Sequence, residues 1–560
     1  MEWEDPGHHA RGLLFSEAPS STPTAGGGGF GDSLRFDLLL GASRDTVEYR
    51  YEQGPCAVPR FHDARTCVFA GKRGTDLEEK ATLFDYVYRD LVRRIEEGTL
   101  RNGQQLPSSS KLSEEYCVGI RTIRDVLRAL KADGYIATEE RKRSVVTHQA
   151  SEDDERALVL LLARRDDILE CFRTLELIMP PLFSFAARFC SDQDFELLSR
   201  GGKRVRALPK AGDARIIRSS KLLNGLLNKT GNPLLSECYA SLERACIVPT
   251  LPGFASPYAR AMEDFDGLFS RAVDSLALGD PAAVQERFGS VYRASPGCVE
   301  AYLDELAAAR PHISAPKERA YSWTARAGRE FAYAQIARSL VSRILAGEFS
   351  DGDALPSIST LASAYGASPM TVQKALGILN SIGVAETVNG RGTCVRLADI
   401  SFDPNSLDDG SFKRDLEVFT DALQMLCIVL PPSLALAAER IDAVARDVGR
   451  TPFGDGDVLS AQRAIMESSL ANVPLAPLQT ILRELNGLVE WGCFLAFFVP
   501  GGASTDRLQA LTDEALACLK AADGEGFVRA QTDYYRTFLA AVPAFLERWG
   551  ASGMKAIAIP

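Results

Sequence analysis

The sequence lacks the cysteine and histidine patterns that build metal sites and disulfide frameworks. It has 5 histidines and 12 cysteines in 560 residues, and no two cysteines form a C-x-x-C pair. Neither a zinc site nor a disulfide framework is indicated. Cysteines kept reduced in the cytoplasm are the simplest interpretation, and we expect no metal and no cofactor.

Long apolar runs and a targeting pattern are also missing. The stretch MEWEDPGHHARG has no basic segment followed by an apolar one, and the longest apolar run, Cys493–Val499, is too short to span a bilayer. We therefore expect a soluble, cytoplasmic protein without a membrane partner. Its net charge of −11 repels polyanions, so any contact with nucleic acid needs locally basic patches.

Enzyme signatures are lacking as well. No nucleophile, phosphate-loop or metal arrangement occurs, and GGGG at Gly26–Gly29 lacks the strand and helix that would make it a phosphate loop. We predict no catalytic residues and no enzyme. Residues 1–80 hold SSTPTAGGGGFG, which predicts a flexible segment to which we assign no function.

The feature that the sequence does have is an internal repeat. LPSSSKLSEEYCVGIRTIRDVL (Leu106–Leu127) returns as LPSISTLASAYGASPMTVQKAL (Leu355–Leu376), and the offset of 249 holds without a gap from Arg89/Arg338 to Val146/Val395. The conserved positions are mostly apolar residues and glycines. The pattern therefore predicts two copies of one fold with different polar surfaces.

The spacing within each copy predicts three helices and a β-wing. In the first copy Tyr88, Leu91, Val92 and Ile95 recur at helical intervals before a glycine. Two short helices joined by a tight turn follow, which is a helix-turn-helix. Two β-prone segments then flank ERKR in copy one and NGRG in copy two, which predicts a hairpin wing.

These residues resemble the winged-helix DNA-binding domain of the GntR family of bacterial transcription regulators. The second copy matches the family pattern at Leu355, Pro356, Ser357, Leu361, Ala362, Gly366, Ser368, Thr371, Val372, Ala375, Leu376, Gly383, Gly390, Gly392, Thr393 and Val395. The first copy departs at Gly119, Ile120 and the wing glycines. An arginine that usually follows L-P-S-x is a serine in both copies, Ser110 and Ser359.

The second helix of a helix-turn-helix enters the major groove, and neighbouring groups bind phosphates. Arginine suits guanine, glutamine suits adenine, and methionine or threonine suits the thymine methyl group. We predict different DNA half-sites for the two copies. The predicted contacts in copy one are Ser108, Arg121, Thr122, Arg124, Arg128, Arg141, Lys142 and Arg143. Those in copy two are Ser357, Ser368, Pro369, Met370, Thr371, Gln373, Lys374, Gly390, Arg391 and Gly392.

Amphipathic helices follow each copy, and these regions echo one another. Pro180 and Pro181 align with Pro431 and Pro432, so whole modules were duplicated. This order resembles the helical effector and dimerisation domain of the FadR subgroup, where an Asp and three His often hold a metal. The first two of those ligand positions align with Ser219, Leu223, Ser460 and Ala464 here, and no histidine follows His312, so we predict no metal.

A metal-free helical domain can still bind a small-molecule effector in its interior. Aromatic residues that offer a lining also fit plain core packing at this spacing, and we favour core. They are Phe183, Phe185 and Phe189 in the first domain, and Trp491, Phe494, Phe497 and Phe498 in the second.

The predicted fold is mainly α, with two winged helix-turn-helix domains alternating with two all-helical bundle domains. We name these head 1 (81–150), bundle 1 (151–325), head 2 (326–398) and bundle 2 (399–560). The resemblance implies a DNA-binding transcription regulator, a repressor in its usual form, associated with the nucleoid and bound to a double-stranded operator. One chain would form an internal pseudo-dimer, with further homo-oligomers open. The alternative is a regulatory scaffold in which head 1 binds protein.

Overall fold

The computed structural model describes most of the chain from Leu83 onward. The described residues are 83–116, 118–138, 143–148, 155–208, 214–251, 253–258, 261–313, 321–325, 332–345, 347–388, 390–397, 410–453, 458–490, 503–548 and 557–560. The predicted flexible segment 1–80 lies outside them. The fold is mainly helical with two small two-stranded sheets, as the sequence predicted.

Head 1 is a winged helix. Its elements are α1 (Leu83–Glu96), α2 (Ser109–Tyr116), α3 (Ile120–Ala132), β1 (Ile136–Ala137) and β2 (Val145–Val146). Leu91, Leu112 and Ile123, one from each helix, are fully or almost fully buried and share one apolar cluster. The strands pair antiparallel, with Ile136 opposite Val146. This cluster holds the helix-turn-helix and the wing in one unit.

Bundle 1 contains eight helices built around a central one. They are α4 (Glu155–Ala163), α5 (Arg165–Ala187), α6 (Asp192–Arg206), α7 (Ala214–Asn228), α8 (Pro233–Ala245), α9 (Ala261–Leu276), α10 (Pro281–Arg293) and α11 (Pro296–Ala309). Helix α5 packs against α7, α8, α10 and α11. Fourteen of its 23 residues are buried, because neighbours surround it on nearly every side. Pro180 and Pro181 lie inside this helix and do not end it.

Head 2 repeats the winged helix with better-defined caps. Its elements are α12 (Ala332–Leu345), α13 (Ile358–Tyr365), α14 (Pro369–Ser381), β3 (Ala385–Val388) and β4 (Gly392–Val395). Helix α13 ends at Gly366, whose φ of +59° is a left-handed conformation that glycine adopts without strain. Helix α14 starts with Ser368 as its N-cap and Pro369 in the first turn.

Bundle 2 follows the plan of bundle 1. Its described helices are α15 (Gly410–Ala438), α16 (Ile441–Val448), α17 (Val458–Asn472), α18 (Ala476–Glu490), α19 (Ala503–Ala521) and α20 (Gly524–Arg548). The long helix α15 packs against α18 and α20, and Pro431 and Pro432 lie inside it as the equivalent prolines do in α5.

The two bundles contact each other through their equivalent helices. Helix α5 packs against α15, α18 packs against α5, and α8 packs against α15. Asn232 Nδ2, at the start of α8, donates to Asp421 O at 2.8 Å and to Gln424 Oε1 at 3.0 Å. Reciprocally, Glu170 Oε2 accepts from Ala476 N at 2.7 Å, at the start of α18. Glu170 and Asp421 each lie ten residues before the first proline of their helix.

Helix α15 is apolar over most of its length, although no single run of apolar residues in it is long enough to span a membrane. Leu416–Ala438 is, in the described chain, the one helix apolar and long enough to cross a membrane, with a mean hydropathy of 1.6. However, 67% of its most apolar stretch is buried inside the protein, against α5, α18 and α20. Gln424, which interrupts the run, accepts from Asn232 across the interface through its side-chain oxygen, and Asp421 accepts there through its backbone carbonyl. A central helix shared by two bundles accounts for this composition.

The two heads join the bundles differently. The apolar cluster of head 2 is continuous with that of both bundles, whereas the cluster of head 1 is separate. Head 1 must therefore be held to bundle 1 mainly by polar contacts.

The interface between the bundles generates a stability prediction at Asn232, which is fully buried. Asn232→Ala removes the N-cap bond to Leu234 N and leaves Gln424 without one of its partners. We expect a loss of about 2–3 kcal/mol in the free energy of unfolding, measured by urea titration with circular dichroism. The control Asn228→Ala, exposed at the end of α7, should change it by less than about 0.5 kcal/mol. Equal effects of the two changes would contradict the interface role.

Candidate nucleic-acid interface

Helix α3 of head 1 presents arginines on its outer face. Ile123, Val126 and Leu130 are buried, so the opposite side of the helix faces solvent. Arg121 and Arg124 are both exposed on this side, in the first two turns, and Thr122 is half-buried between them. The helix begins after Gly119, which provides no side-chain cap. Two guanidinium groups at the N-terminal end of a helix-turn-helix recognition helix are suited to base edges.

Other predicted contacts of head 1 lie around this helix. Arg128 is exposed, but its Nη1 is 2.8 Å from Asp125 Oδ1, so this arginine already has an acidic partner. Ser108 Oγ accepts from Lys111 N at 3.2 Å and thus caps α2. On the wing Arg143 is exposed next to β2, whereas Arg141 and Lys142 lie outside the described residues.

Helix α14 of head 2 also buries one side and exposes the other, but the exposed side chains differ from those of α3. Ser368 Oγ accepts from Thr371 N at 3.2 Å, which caps the helix. The neighbouring Met370 side chain is 64% exposed, an unusual position for a large apolar group, and Gln373 is exposed one turn later. Lys374 is also exposed, and its Nζ lies 5.7 Å from the centre of the Tyr333 ring.

The remaining predicted contacts of head 2 are the exposed Pro369 and the half-buried Thr371 on α14, the cap of α13 and the wing. Ser357 Oγ accepts from Thr360 N at 3.2 Å. In the wing Gly390 and Gly392 have φ of +80° and +90°, a region that side-chain-bearing residues rarely adopt. These glycines turn the chain so that the exposed Arg391 is at the tip.

The repeat offset makes the difference between the heads explicit. Arg124 of head 1 corresponds to Gln373 of head 2, and Asp125 corresponds to Lys374. The equivalent apolar residues Ile123 and Val372 are both fully buried. The scaffold is therefore the same while the exposed donors and acceptors differ.

Head 1 is attached to bundle 1 by charged groups that the sequence analysis did not identify. Arg164 Nη1 lies 2.7 Å from Glu97 Oε1, and both side chains are almost fully buried. Arg244, at the end of α8, donates to Tyr86 OH and to Glu115 O, both at 3.2 Å, and lies over the Tyr116 ring. No sequence pattern pairs these residues, because their partners are 67 to 158 positions apart.

A carboxylate in this contact is kept ionised. Burial raises the pKa of Asp90, but the charges of Arg93, Arg94 and Arg244 together lower it well below its usual range. Asp90 also accepts a hydrogen bond from Tyr116 OH at 2.5 Å. Buried charged groups of this kind favour one orientation of head 1 on bundle 1, although Arg94 Nε and Arg164 Nε have no hydrogen-bond partner among the described residues.

Bundle 1 contains a small cavity of about 90 Å³. It is mostly apolar, lined by residues from α5, α7, α8, α9 and α10 that include Phe172, Leu223, Phe265, Phe269 and Val291. The predicted lining Phe183 and Phe185 is buried core and does not border this cavity, and Phe189 is 36% exposed. The aromatic candidates of bundle 2, Trp491, Phe494, Phe497 and Phe498, lie outside the described residues.

The polar end of the cavity is formed by Glu243, whose neighbour Arg244 holds head 1. Ser220 and Tyr239 both donate hydrogen bonds to the Glu243 carboxylate. Burial raises the pKa of Glu243 to about 8, although Tyr239 and Arg244 favour the ionised form. Ser219 and Leu223, which align with metal ligands of the FadR subgroup, also line this cavity. Among the described residues, no group of three or more His, Cys, Asp or Glu could hold a metal ion.

Both heads match one protein family. Residues 83–146 and 332–395 fit the model of "Bacterial regulatory proteins, gntR family". The mannosyl-D-glycerate transport/metabolism system repressor MngR of Escherichia coli K12 is 32% identical over 99 residues, which are 17% of this chain and 41% of the relative. The HTH-type transcriptional repressor YtrA of Bacillus subtilis 168 is 41% identical over 63 residues, 11% and 48% of the two chains.

A third relative extends further. The HTH-type transcriptional repressor NanR of Enterobacter sp. strain 638 is 26% identical over 165 residues, 29% of this chain and 63% of the relative. Each match therefore spans less than two thirds of the relative. Among solved structures, Streptococcus agalactiae GntR is 15% identical with a TM-score of 0.21, and the match covers 38% of this chain and 99% of that one.

Glu243 makes the stability of the protein depend on pH. Its pKa is raised from 4.5 to about 8 in the folded state, so the folded protein holds a proton that the unfolded chain has released between these values. The contribution of Glu243 to stability is therefore greatest below pH 4.5 and falls as the pH rises to about 8. We expect Glu243→Gln to flatten this part of the profile, measured by urea unfolding between pH 5 and 8.5. Parallel profiles for the two proteins would contradict this assignment.

Proposed function

Because the chain belongs to the GntR family of bacterial regulatory proteins through both of its heads, we propose that it is a sequence-specific transcription regulator that binds duplex DNA through α3 and α14. The observation that carries this proposal is the position of polar and cationic side chains on the exposed face of both recognition helices, at their N-terminal ends. The relatives are named repressors, so repression is the proposed direction. We propose no catalytic activity.

Head 1 is proposed to bind guanine through Arg121 and Arg124. Within the described residues neither guanidinium makes an ion pair, so both keep their donors for base edges or phosphates. Arg128 would first have to give up Asp125, and we assign it a phosphate contact. On the wing, the exposed Arg143 is positioned beside the helix-turn-helix, and Arg141 and Lys142 are assigned to phosphates from the sequence alone.

Head 2 is proposed to bind a different half-site. Gln373 suits adenine, and Met370 with Thr371 suits a thymine methyl group. Lys374, which extends over Tyr333, is a point charge for a phosphate or an acceptor on guanine. Ser357, Ser368 and the Gly390–Gly392 turn bring backbone and hydroxyl groups towards the DNA backbone.

We further propose that the two modules form a pseudo-dimer within one chain. This proposal is supported by the packing of α5 on α15 and by the reciprocal bonds at the starts of α8 and α18. Covalent linkage gives the modules a high effective concentration for each other. The two heads would then read unlike halves of one operator, in the cytoplasm and on the nucleoid.

Control by a small molecule is proposed at the cavity of bundle 1. The cavity is mostly apolar with a carboxyl group in its lining, and at about 90 Å³ it suits only a very small ligand with an apolar body and a hydrogen-bonding group. Glu243 lines the cavity and Arg244, the next residue of α8, holds head 1. A ligand that moves the end of α8 would therefore change the attachment of head 1 to bundle 1.

The alternative function is a regulatory scaffold in which head 1 binds protein. Ile120 is 43% exposed at the start of α3, and an exposed apolar group at this position suits a protein surface as well as DNA. Head 2 would then be the DNA-binding head alone.

Two substitutions test the recognition helices. We expect Arg124→Ala and Lys374→Ala each to weaken binding of the full chain to a recovered genomic fragment by roughly 5- to 100-fold, because each removes about 1–3 kcal/mol of contact energy. Fluorescence anisotropy measures the affinity, and thermal melting shows whether the variants fold. Arg396→Ala, whose guanidinium is bonded to Glu386 on the head 2 wing, is the matched control and should bind like wild type. Unchanged affinity in both test variants would remove the assignment of α3 and α14.

Salt dependence distinguishes a DNA-binding head 1 from a protein-binding one. The slope of log affinity against log salt concentration loses about 0.9 for each phosphate contact that is removed. Arg143→Gln in head 1 and Arg391→Gln in head 2 should each make the slope of the full chain shallower by about this amount. A change for Arg391→Gln alone would favour the scaffold function of head 1.

A further inference from the structure

Bundle 1 has a strongly basic surface in a chain of net charge −11. Between Arg200 and Lys221 the sequence contains eight lysines and arginines and one acidic residue, Asp213. Helices α6 and α7 form most of this stretch and pack side by side. They approach closely at Gly201, where an added Cβ would stand 2.6 Å from Leu222 Cδ1. Cations on the two helices are therefore neighbours.

The helical spacing directs most of these charges outward. Leu198, Gly202 and Val205 form the buried side of α6. Lys203 and Arg204 are exposed on the outer side, and on α7 Arg218 and Lys221 are exposed while Ser219 and Leu223 line the cavity. We define the α6–α7 surface as these four exposed cations on two adjacent helices, Lys203, Arg204, Arg218 and Lys221.

Structural roles account for only some of the cations. Arg215 is buried and donates to Arg206 O at 2.8 Å and to Leu208 O, so it holds the end of α6. Arg200 is paired with Glu196 at 2.6 Å. Within the described part of the chain, the four residues of the α6–α7 surface have no ion-pair partner. Cations near the C-terminal end of α6 interact favourably with the helix dipole, but this does not explain the cations on the outer face of α7.

The second bundle shows that the fold does not need these charges. When Ser219 is aligned with Ser460, the stretch 200–221 corresponds to 441–462. That stretch contains two arginines, Arg446 and Arg450, and four aspartates, Asp442, Asp447, Asp455 and Asp457. The same bundle therefore forms with an acidic stretch in place of a basic one, and the α6–α7 surface is specific to the first module.

We propose that the α6–α7 surface binds the phosphate backbone of duplex DNA outside the base pairs that the heads contact. Lysine and arginine bind phosphates without reading sequence, and on an acidic chain such a cluster marks where a polyanion can approach. The outward faces of α6 and α7 have no exposed aromatic ring on which the bases of a single strand could stack. The proposal rests on the proposed function, because DNA held by the heads is then at high local concentration.

Full-length proteins test the proposal with two duplexes. One is the shortest recovered genomic fragment that wild type binds at full specificity, and the other carries about 20 further base pairs, two helical turns, on each side. The test variant combines Lys203→Gln, Arg204→Gln, Arg218→Gln and Lys221→Gln. The matched control combines Arg446→Gln and Arg450→Gln in bundle 2.

We expect the test variant to bind the long duplex about tenfold more weakly than wild type, with a log–log salt slope shallower by about 3.6, since four phosphate contacts contribute about 0.9 each. Its affinity for the short duplex should change less than twofold, and the control should match wild type on both. The proposal would be overturned if the test variant bound the long duplex as tightly as wild type does, or if it lost equal affinity for both duplexes.

A long duplex of random sequence separates this proposal from the function of the heads. If wild type fails to prefer the genomic fragment but the test variant still loses affinity for the random duplex, the proposed function fails and the α6–α7 surface stands. If the test variant binds the random duplex like wild type, the α6–α7 surface is not a DNA contact. Circular dichroism and thermal melting establish that the variant is folded in both cases.

Discussion

The packing of α5 against α15 is the contact on which the rest of the described structure depends. Each helix is the centre of its own bundle, and each also packs against helices of the other bundle: α5 against α18, and α15 against α8. Helix α15 is long and apolar enough to cross a membrane, and α5, α18 and α20 cover most of its apolar stretch. The hydrogen bonds of Asn232 and Glu170 at this contact favour one relative position of the two bundles, because buried polar groups tolerate few alternative arrangements.

The fold of the heads could be predicted from the sequence because it depends on patterns between residues that are close together in the chain. Apolar residues at helical spacing give α1 to α3 and α12 to α14, and glycines such as Gly366 end helices where a left-handed residue is required. The repeat strengthened the prediction, since two surfaces with unlike polar residues kept the same buried positions. The predicted DNA contacts were likewise found exposed wherever the structure describes them, apart from the half-buried Thr122 and Thr371.

Contacts between segments that are far apart in the chain could not be predicted from the sequence. The cavity of bundle 1 collects residues from five helices, and no spacing in the sequence indicates that they meet. Phe183 and Phe185 are buried core, as the sequence analysis favoured, and Phe189 is 36% exposed. The Arg164–Glu97 and Arg244–Tyr86 contacts join distant segments with no periodic pattern. The excess of basic residues before Lys221 is a local feature of the sequence, and the structure adds that α6 and α7, which carry most of it, lie side by side.

The intramolecular nature of the α5–α15 contact has a consequence for how a cell could use this chain. Two separate subunits come apart on dilution, so occupancy of a paired target would rise with the square of the number of copies per cell. Here dilution cannot separate the two halves, so under the proposed function occupancy would rise in simple proportion even when only a few copies are present. The same linkage keeps the two unlike heads together in every copy of the chain, whatever its concentration.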